Sequence, residues 1–220
     1  VIKVFISSGT GFFVSRDGFL LTNAHVVKQC KQIIISGAIS PRPAQVVASN
    51  VNDDLALLKV EASGIDAGRF RDERFPIQDH ERVIQDGYPG KAGELGQTVS
   101  REAQIISSKG PQGEDRWIQL SDIVEEGNSG GPVVDAYGNI VGVIMARAVK
   151  YTYQKSDPEN GTYAQSGVAI ANSVVRAFLD RNNVRYDTAS ANSELSASNL
   201  TDLAERFVVH VRCEFPTEVR

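Results

Sequence analysis

The sequence has few of the side chains that metal and redox chemistry require. Only two cysteines and three histidines occur among 220 residues, and Cys30 and Cys213 are too far apart for a metal-binding spacing. No apolar run approaches the roughly 20 residues that cross a bilayer. The net charge of −4 comes from mixed signs, so it offers neither a basic footprint for nucleic acid nor a polybasic face for a membrane. We expect no metal, no cofactor, no membrane span and no nucleic-acid partner.

What the chain does contain is short strand-like segments separated by turns. One series lies between residues 1 and 60 and another between residues 82 and 170, both rich in Val, Ile and Phe. The stretch Glu61 to His80 between them is polar and carries a charge cluster at 69–74, which indicates a solvated connection. Short strands without long helical runs predict an all-β barrel architecture.

The pattern changes after the second series. Residues 172–179 have apolar side chains at helical spacing, which predicts a short helix. A second amphipathic helix is predicted around Leu200 to Phe207, and Phe207 to Phe215 alternates like a strand. An apolar face this small does not stand alone in water, so we expect the tail to dock on the rest of the chain.

The most informative motif is Gly127-Asn128-Ser129-Gly130-Gly131. Glycines around a serine permit a sharp turn and a close approach of the backbone. The N–H groups of Gly127 and Ser129, with Asn128 between them, would then hold an oxygen that develops negative charge. Taken alone, such a run could also be a plain turn.

Two upstream segments strengthen the functional interpretation. Residues 20–27 contain His25 and residues 52–60 contain Asp54, which gives the order His, Asp, Ser. With residues 8–14 and 138–143, these motifs make the chain resemble the trypsin-like serine peptidases of the HtrA/Deg branch over about residues 8–178.

The resemblance implies two antiparallel six-stranded β-barrels packed face to face, with a short helix after the second barrel and a helix–strand tail. We expect the first barrel and connector at 1–80, the second barrel and its helix at 81–180, and a linker with a docked tail at 181–220. Relatives usually carry a peptide-binding PDZ domain after the protease, and the chain leaves no room for one. The resemblance also favours a bacterial periplasm or the cell exterior, although the visible chain has no signal peptide.

The catalytic residues implied by the resemblance are Ser129 as nucleophile, His25 as general base and Asp54 as its orienter. Asp53 is the rival for the third role. Asp54 is preferred because it begins the family's Asp-hydrophobic-x-Leu pattern. Strand alternation also puts Asp54 opposite Asp53, which predicts that Asp53 faces solvent. Of the other histidines, His80 and His210 have no motif around them and are interpreted as structural or surface residues.

The resemblance also assigns a substrate pocket. Ile123 would form its base, and its walls would come from Ile144, Met145, Ala146, Arg147 and Gly167. Without an acid at the base, the pocket predicts small to medium aliphatic side chains before the cleaved bond and loose selectivity.

The function predicted is a serine endopeptidase that cleaves unfolded or flexible polypeptides. The alternative is a catalytically silent or chaperone-like polypeptide-binding module on the same fold. An α/β-hydrolase esterase would need the order Ser, Asp, His, which this chain lacks. The sequence leaves the oligomeric state and the natural substrate open.

The two cysteines allow two interpretations. One is a long-range disulfide between Cys30, which follows the histidine on the first barrel, and Cys213 in the tail strand. The other is a pair of free thiols, with the tail held by apolar packing alone. A bridge would imply an oxidising compartment.

Overall fold

A computed structural model of the chain describes residues 2–122, 124–154, 157–190 and 193–218, and at 2–6, 146–154, 157–165 and 216–218 the description is of the backbone alone. Short strands dominate the first part: β1 (Ile2–Phe13), β2 (Phe19–Thr22), β3 (Gln32–Gly37), β4 (Arg42–Asn50), β5 (Leu55–Lys59), β6 (Arg69–Arg71) and β7 (Arg82–Gly87). The rest of the described chain mixes strands with short helices: α1 (Gly90–Glu94), β8 (Val99–Ser107), β9 (Trp117–Leu120), β10 (Pro132–Asp135), β11 (Asn139–Gln154), β12 (Asp157–Ala171), α2 (Asn172–Arg181), β13 (Thr188–Ala189), α3 (Ala197–Ala204) and β14 (Val208–Glu218).

The first barrel is closed, with its strands in the order β1-β14-β3-β4-β5-β2. β14 lies between β1 and β3, with Thr10 opposite His210 on one side and Ile35 opposite Val211 on the other. All its neighbouring strands are antiparallel. The tail strand therefore does not sit at an edge of the folded body but completes the first barrel.

The second barrel runs β10-β7-β8-β9-β12-β11 and closes where β10 pairs with β11. The short strands β6 and β13 continue the sheet beside β11 in parallel orientation. Helix α2 follows β12 directly, and α3 precedes β14. This architecture confirms the predicted all-β fold of two antiparallel six-stranded barrels with a helix after the second one and a helix–strand tail. The finer division into segments at 80 and 180 stays a prediction.

Buried side chains form two clusters, one that runs from the first barrel into the second and one that lies within the second barrel. The first contains Phe12, Leu21 and Leu57 of the first barrel and extends to α2 through Phe178 and to α3 through Leu200. The second fills the other barrel and includes Val83, Ile105, Ile118 and Val141. Because both helices after the second barrel contribute to the first cluster, apolar burial holds the tail against the body. No described helix is long and apolar enough to cross a bilayer.

A disulfide joins the tail strand to the segment that follows His25. Cys30 and Cys213 are bonded, with their Cα atoms 5.2 Å apart and a sequence separation of 183. Cys213 is fully buried in β14, where it pairs with Ser7 of β1 and Ile33 of β3. The bridge therefore ties the strand that completes the first barrel to the part of the barrel nearest the histidine.

We predict that reduction lowers the melting temperature of the folded chain. Opening a loop of 183 residues restores chain entropy to the unfolded state, which removes up to about 5 kcal/mol of stability. Thermal melts with and without reductant measure the loss. The double variant Cys30→Ser/Cys213→Ser is the control, because its melting temperature should not respond to reductant. Two reactive thiols per denatured, unreduced chain would contradict the bridge.

Candidate active site

His25 and Asp54 lie on neighbouring turns of the first barrel. His25 follows β2, and Asp54 immediately precedes β5, which pairs with β2. The Nδ1 atom of His25 lies 2.7 Å from Oδ2 of Asp54, and the His25 amide donates to Asp54 Oδ1 at 3.0 Å. A carboxylate accepts hydrogen bonds only, so this contact places the ring proton on Nδ1 and leaves Nε2 as the acceptor.

The backbone of Asp54 takes a conformation that is uncommon for a residue with a side chain. Its φ is +51°, in the left-handed region that Asp and Asn tolerate better than most residues. Its carbonyl accepts hydrogen bonds from the Ala24 amide at 3.1 Å and the Asn23 side chain at 2.9 Å. The turn before the histidine thus fixes the turn that carries the carboxylate, and such a strained residue persists only where its surroundings hold it.

Ser129 lies in the loop between β9 and β10 of the second barrel, directly against the first barrel. Its carbonyl accepts a hydrogen bond from the Thr10 amide at 2.9 Å. A Cβ atom on Gly130 would lie 2.9 Å from the Asn23 amide nitrogen, two residues before His25. The Ser129 hydroxyl donates to the Met145 carbonyl at 3.4 Å, and the described side chains of Ser129 and His25 share no hydrogen bond.

Hydrogen bonds to backbone carbonyl groups fix the conformation of the loop around Ser129. The Glu126 carbonyl accepts from the Gly90 amide, and the Asn128 carbonyl accepts from the Gly131 amide, both at 2.9 Å. In a trans peptide the N–H group points away from the carbonyl of the preceding residue. The amides of Gly127 and Ser129 therefore point away from these two contacts. Gly127 takes a φ of +98°, and a Cβ there would lie 2.4 Å from the Tyr88 carbonyl, so this position requires glycine.

The residues predicted to form the substrate pocket are placed as follows. Ile144 is fully buried in the second barrel and bonds through its backbone to Gly130 and Gly131, whereas Met145 is half-buried and accepts the Ser129 hydroxyl. The backbones of Ala146 and Arg147 pair with Val168 and Gly167. Ile123 lies outside the described residues. Gly167 nevertheless lies beside that segment, since a Cβ on it would be 2.7 Å from the Asp122 carbonyl.

An apolar cavity lies beside His25. Its volume is about 240 Å³, and it is lined by residues that include His25, Val27, Val46 and Val51. Val46 and Val51 are 47% and 79% exposed, which is unusual for aliphatic side chains. Larger cavities occur elsewhere on the described surface, but they do not contain any of the three motif residues.

Asp53 does not face solvent, contrary to the sequence-based expectation. Its side chain is 15% exposed and pairs with Arg116 before β9 and with Arg181 at the end of α2. The alternation argument fails because Asp53 and Asp54 belong to a turn, and β5 starts only at Leu55. Asp53 thus links the Asp54 turn to the second barrel. The sequence around Arg116 does not indicate its ion pair with Asp53, because this pairing depends on how the two barrels dock.

Buried polar side chains lie behind the Ser129 loop. Asp86 is fully buried and accepts a hydrogen bond from Ser100, and burial raises the pKa of Asp86 to about 7. His210 is 4% exposed and stacks on Tyr88 with ring centroids 4.9 Å apart. Burial, with a smaller effect of the Arg212 charge, lowers the pKa of His210 to about 4. Both groups are therefore favoured in their uncharged forms inside the fold.

Comparison with known proteins identifies the family of the chain. A model of the trypsin-like peptidase domain matches residues 9–143. The chain therefore belongs to the trypsin-like peptidase family. In the described part of the chain, no group of three or more His, Cys, Asp or Glu side chains is arranged to hold a metal ion.

Within that family its relatives are of the HtrA/Deg type. It is 35% identical over 144 residues to the "Probable periplasmic serine endoprotease DegP-like" of Ectopseudomonas mendocina, covering 62% of this chain and 29% of that protein. It is 29% identical over 202 residues to the serine endoprotease DegS of Haemophilus influenzae, covering 87% and 56%. The structure of the HtrA-type protease AlgW matches with a TM-score of 0.63 and 25% identity, covering 81% of this chain and 58% of that one.

A longer alignment exists with a protein whose role is unassigned. The uncharacterized protein y4bJ of Sinorhizobium fredii is 34% identical over 212 residues, which is 94% of this chain and 32% of that protein. The chain thus spans about a third of the length of this protein and of the DegP-like one. The alignment reaches into the tail as well as the barrels, because it covers 94% of the 220 residues.

The burial of Asp86 behind the Ser129 loop predicts how the stability of the fold depends on pH. Between its usual pKa of 3.8 and about 7, the folded chain keeps a proton on Asp86 that the unfolded chain releases, so Asp86 makes stability fall as pH rises through this window. Asp86→Asn should therefore raise the melting temperature at pH 8 relative to the parent, and this gain should shrink towards pH 4. Calorimetry across that range measures it.

The exposed Asp66 provides the matched control, because Asp66→Asn makes the same chemical change at a site that is not buried. His210 acts in the opposite direction between pH 6.5 and about 4, where stability falls as pH falls. His210 is present in all three proteins, so its effect cancels in the comparison. A gain from Asp86→Asn that is largest at pH 4 would contradict the prediction.

Proposed function

We propose that the chain is a serine endopeptidase with Ser129 as nucleophile, His25 as general base and Asp54 as orienter. The observation that carries this proposal is the 2.7 Å contact between His25 Nδ1 and Asp54 Oδ2. It leaves Nε2 free to accept a proton, and it occurs on turns that lie against the glycine-rich loop of Ser129. Membership of a family with protease relatives supports the same chemistry.

The reaction begins with attack of Ser129 Oγ on the carbonyl carbon of the substrate. His25 Nε2 takes the hydroxyl proton during the attack and later passes it to the leaving amine. The Asp54 carboxylate stabilises the imidazolium that forms in between. Since the Ser129 hydroxyl donates to the Met145 carbonyl in the structure, it must rotate towards Nε2 before the attack.

The negative charge that develops on the substrate oxygen is held by backbone amides. We assign this role to the N–H groups of Gly127 and Ser129, with Asn128 between them. Loss of one such donor typically costs about 2.7–4 kcal/mol of transition-state stabilisation. Water then hydrolyses the acyl-enzyme by the same steps in reverse, with His25 again acting as base.

The substrates we propose are unfolded or flexible polypeptides. A segment must enter the groove between the barrels in an extended form to reach Ser129, which folded proteins rarely permit. The side chain before the cleaved bond would sit against Ile123, with walls from residues 144–147 and Gly167. The carboxylate of Asp122 beside this segment lies 4.0 Å from Arg101, so it already has a cationic partner.

The compartment we propose is the bacterial periplasm or the cell exterior. A disulfide between Cys30 and Cys213 persists in oxidising surroundings and is rare in a reducing cytosol. A DegP-like relative carries the word periplasmic in its name, which points the same way.

Labelling with a fluorophosphonate probe tests the proposal, because the probe reacts only with an activated serine. The folded, oxidised chain should be labelled at Ser129 and should cleave an unfolded protein such as reduced, alkylated casein. Ser129→Ala is the matched control and should do neither while keeping the parent's melting temperature. A folded chain that binds casein but is neither labelled nor active would favour the polypeptide-binding alternative.

Substitution of the two neighbouring aspartates should have different effects on kcat and on stability. Asp54→Asn should lower kcat by about 10⁴-fold, because an amide favours the wrong tautomer of His25. Asp53→Asn should keep kcat close to the parent value and lower stability by about 1 kcal/mol, since it weakens partly exposed ion pairs to Arg116 and Arg181. Steady-state kinetics and melting temperatures of both variants measure this. Equal losses of kcat would refute the assignment of Asp54.

Cleavage should follow Val, Ala, Leu or similar residues rather than Lys or Arg. The reason is the apolar side chain that we propose for the pocket base, Ile123, together with the pairing of the neighbouring Asp122 with Arg101. One methylene in such a pocket is worth about 1–3 kcal/mol. A peptide library digested with the oxidised chain and sequenced by mass spectrometry gives the profile, with Ser129→Ala to exclude contaminating proteases. A profile dominated by Lys or Arg before the cut would overturn the pocket assignment.

A further inference from the structure

Thr10 is a buried residue of β1 that lies where the first barrel meets the loop carrying Ser129. Its exposed fraction is 0%, and it stands opposite His210 of β14 in the strand register. The ring of His210 in turn stacks on Tyr88, which follows β7. Thr10 therefore lies between the tail strand, the second barrel and the Ser129 loop.

All the polar groups of Thr10 are used in hydrogen bonds. Its hydroxyl donates to the Gly127 carbonyl at 2.7 Å and accepts from the Tyr88 amide at 2.9 Å. Its amide donates to the Ser129 carbonyl at 2.9 Å, and its own carbonyl accepts from the Thr22 hydroxyl at 2.7 Å. Through these hydrogen bonds Thr10, a residue of the first barrel, contacts the residues before and after Asn128 in the loop and Tyr88 of the second barrel.

Two glycines without side chains leave the space that these contacts of Thr10 require. A Cβ atom on Gly130 would lie 2.2 Å from the Thr10 carbonyl, and one on Gly87 would lie 2.8 Å from the Thr10 hydroxyl. Gly130 has a φ of +88°, which a larger residue would rarely adopt. The fit leaves the loop little room to shift as long as Thr10 holds it.

Two hydrogen bonds of Thr10 are made to Gly127 and Ser129. The amides of Gly127 and Ser129 are the proposed donors to the substrate oxygen, and Thr10 holds the carbonyls of the same two residues. Donors must be fixed before the reaction, because a loop that must reorder in the transition state loses most of its electrostatic benefit. We infer that Thr10 is the positioning residue that fixes this loop in its reactive conformation.

The hydroxyl is the essential part of the side chain. It must donate to one backbone group and accept from another at the same time, and only Ser and Thr offer this combination at such a size. Valine has the same shape but leaves the Gly127 carbonyl and the Tyr88 amide without a buried partner. The inference rests on the proposed peptidase function for its kinetic readout, but the conformation of the loop is measured without it.

The experiment compares Thr10→Val with Thr10→Ser in the full, oxidised chain. Thr10→Val should lower kcat by about 10²-fold, the size of effect seen when an oxyanion donor is lost, with KM changed little. Thr10→Ser should recover kcat to within a few-fold of the parent. Hydrogen–deuterium exchange should show faster exchange of the 126–131 amides in Thr10→Val only.

Ser15→Ala is the matched control, because Ser15 is also buried and accepts the Phe19 amide at 3.2 Å in a turn far from the loop. It should leave kcat and the exchange of 126–131 unchanged even if it melts earlier. The inference is overturned if Thr10→Val keeps the parent's kcat and loop exchange, or if Thr10→Ser is as impaired as Thr10→Val. If the parent itself proves inactive, the peptidase proposal fails, and the exchange rates of the three proteins still decide the role of Thr10.

Discussion

The structure depends on the hydrogen bonds that cross from the first barrel to the loop of the second. Neither barrel contains the whole candidate site: the first holds the His25–Asp54 contact, and the second holds Ser129. Their relation is set by backbone groups, chiefly the Thr10 amide and hydroxyl on the carbonyls of Ser129 and Gly127. Backbone contacts of this kind tolerate little displacement, so the glycines that permit them are as important as the motif serine itself.

A second set of contacts surrounds this interface with buried and half-buried polar groups. Asp86, His210 and Tyr88 lie on the inner side, and Asp53 with its arginines lies on the outer side. Uncharged forms suit the inner groups because burial penalises charge. The ion pairs remain near water, where the desolvation cost is small. The interface is thus graded from neutral hydrogen bonds inside to charged pairs outside.

Local patterns predicted much of this molecule because they report local requirements. Glycines around Ser129 indicated a loop that approaches other backbone closely, and short Val- and Ile-rich segments indicated barrels. Partners distant in sequence could not be found in this way. Nothing near Asp53 indicates Arg116, and nothing near Thr10 indicates Gly127. Asp54 was selected by a motif, while the alternation argument for it failed because its φ of +51° belongs to a turn.

The position of β14 in the first barrel also constrains the order in which the chain folds. A ribosome delivers β1 to β5 long before Val208, and until then β1 and β3 each present an unpaired edge where β14 will lie. Closing the barrel joins segments about as far apart as the chain allows, which is slow compared with local folding. The turns bearing His25 and Asp54 are therefore part of an open sheet until β14 has been synthesised, and their barrel is completed only when that strand pairs with β1 and β3.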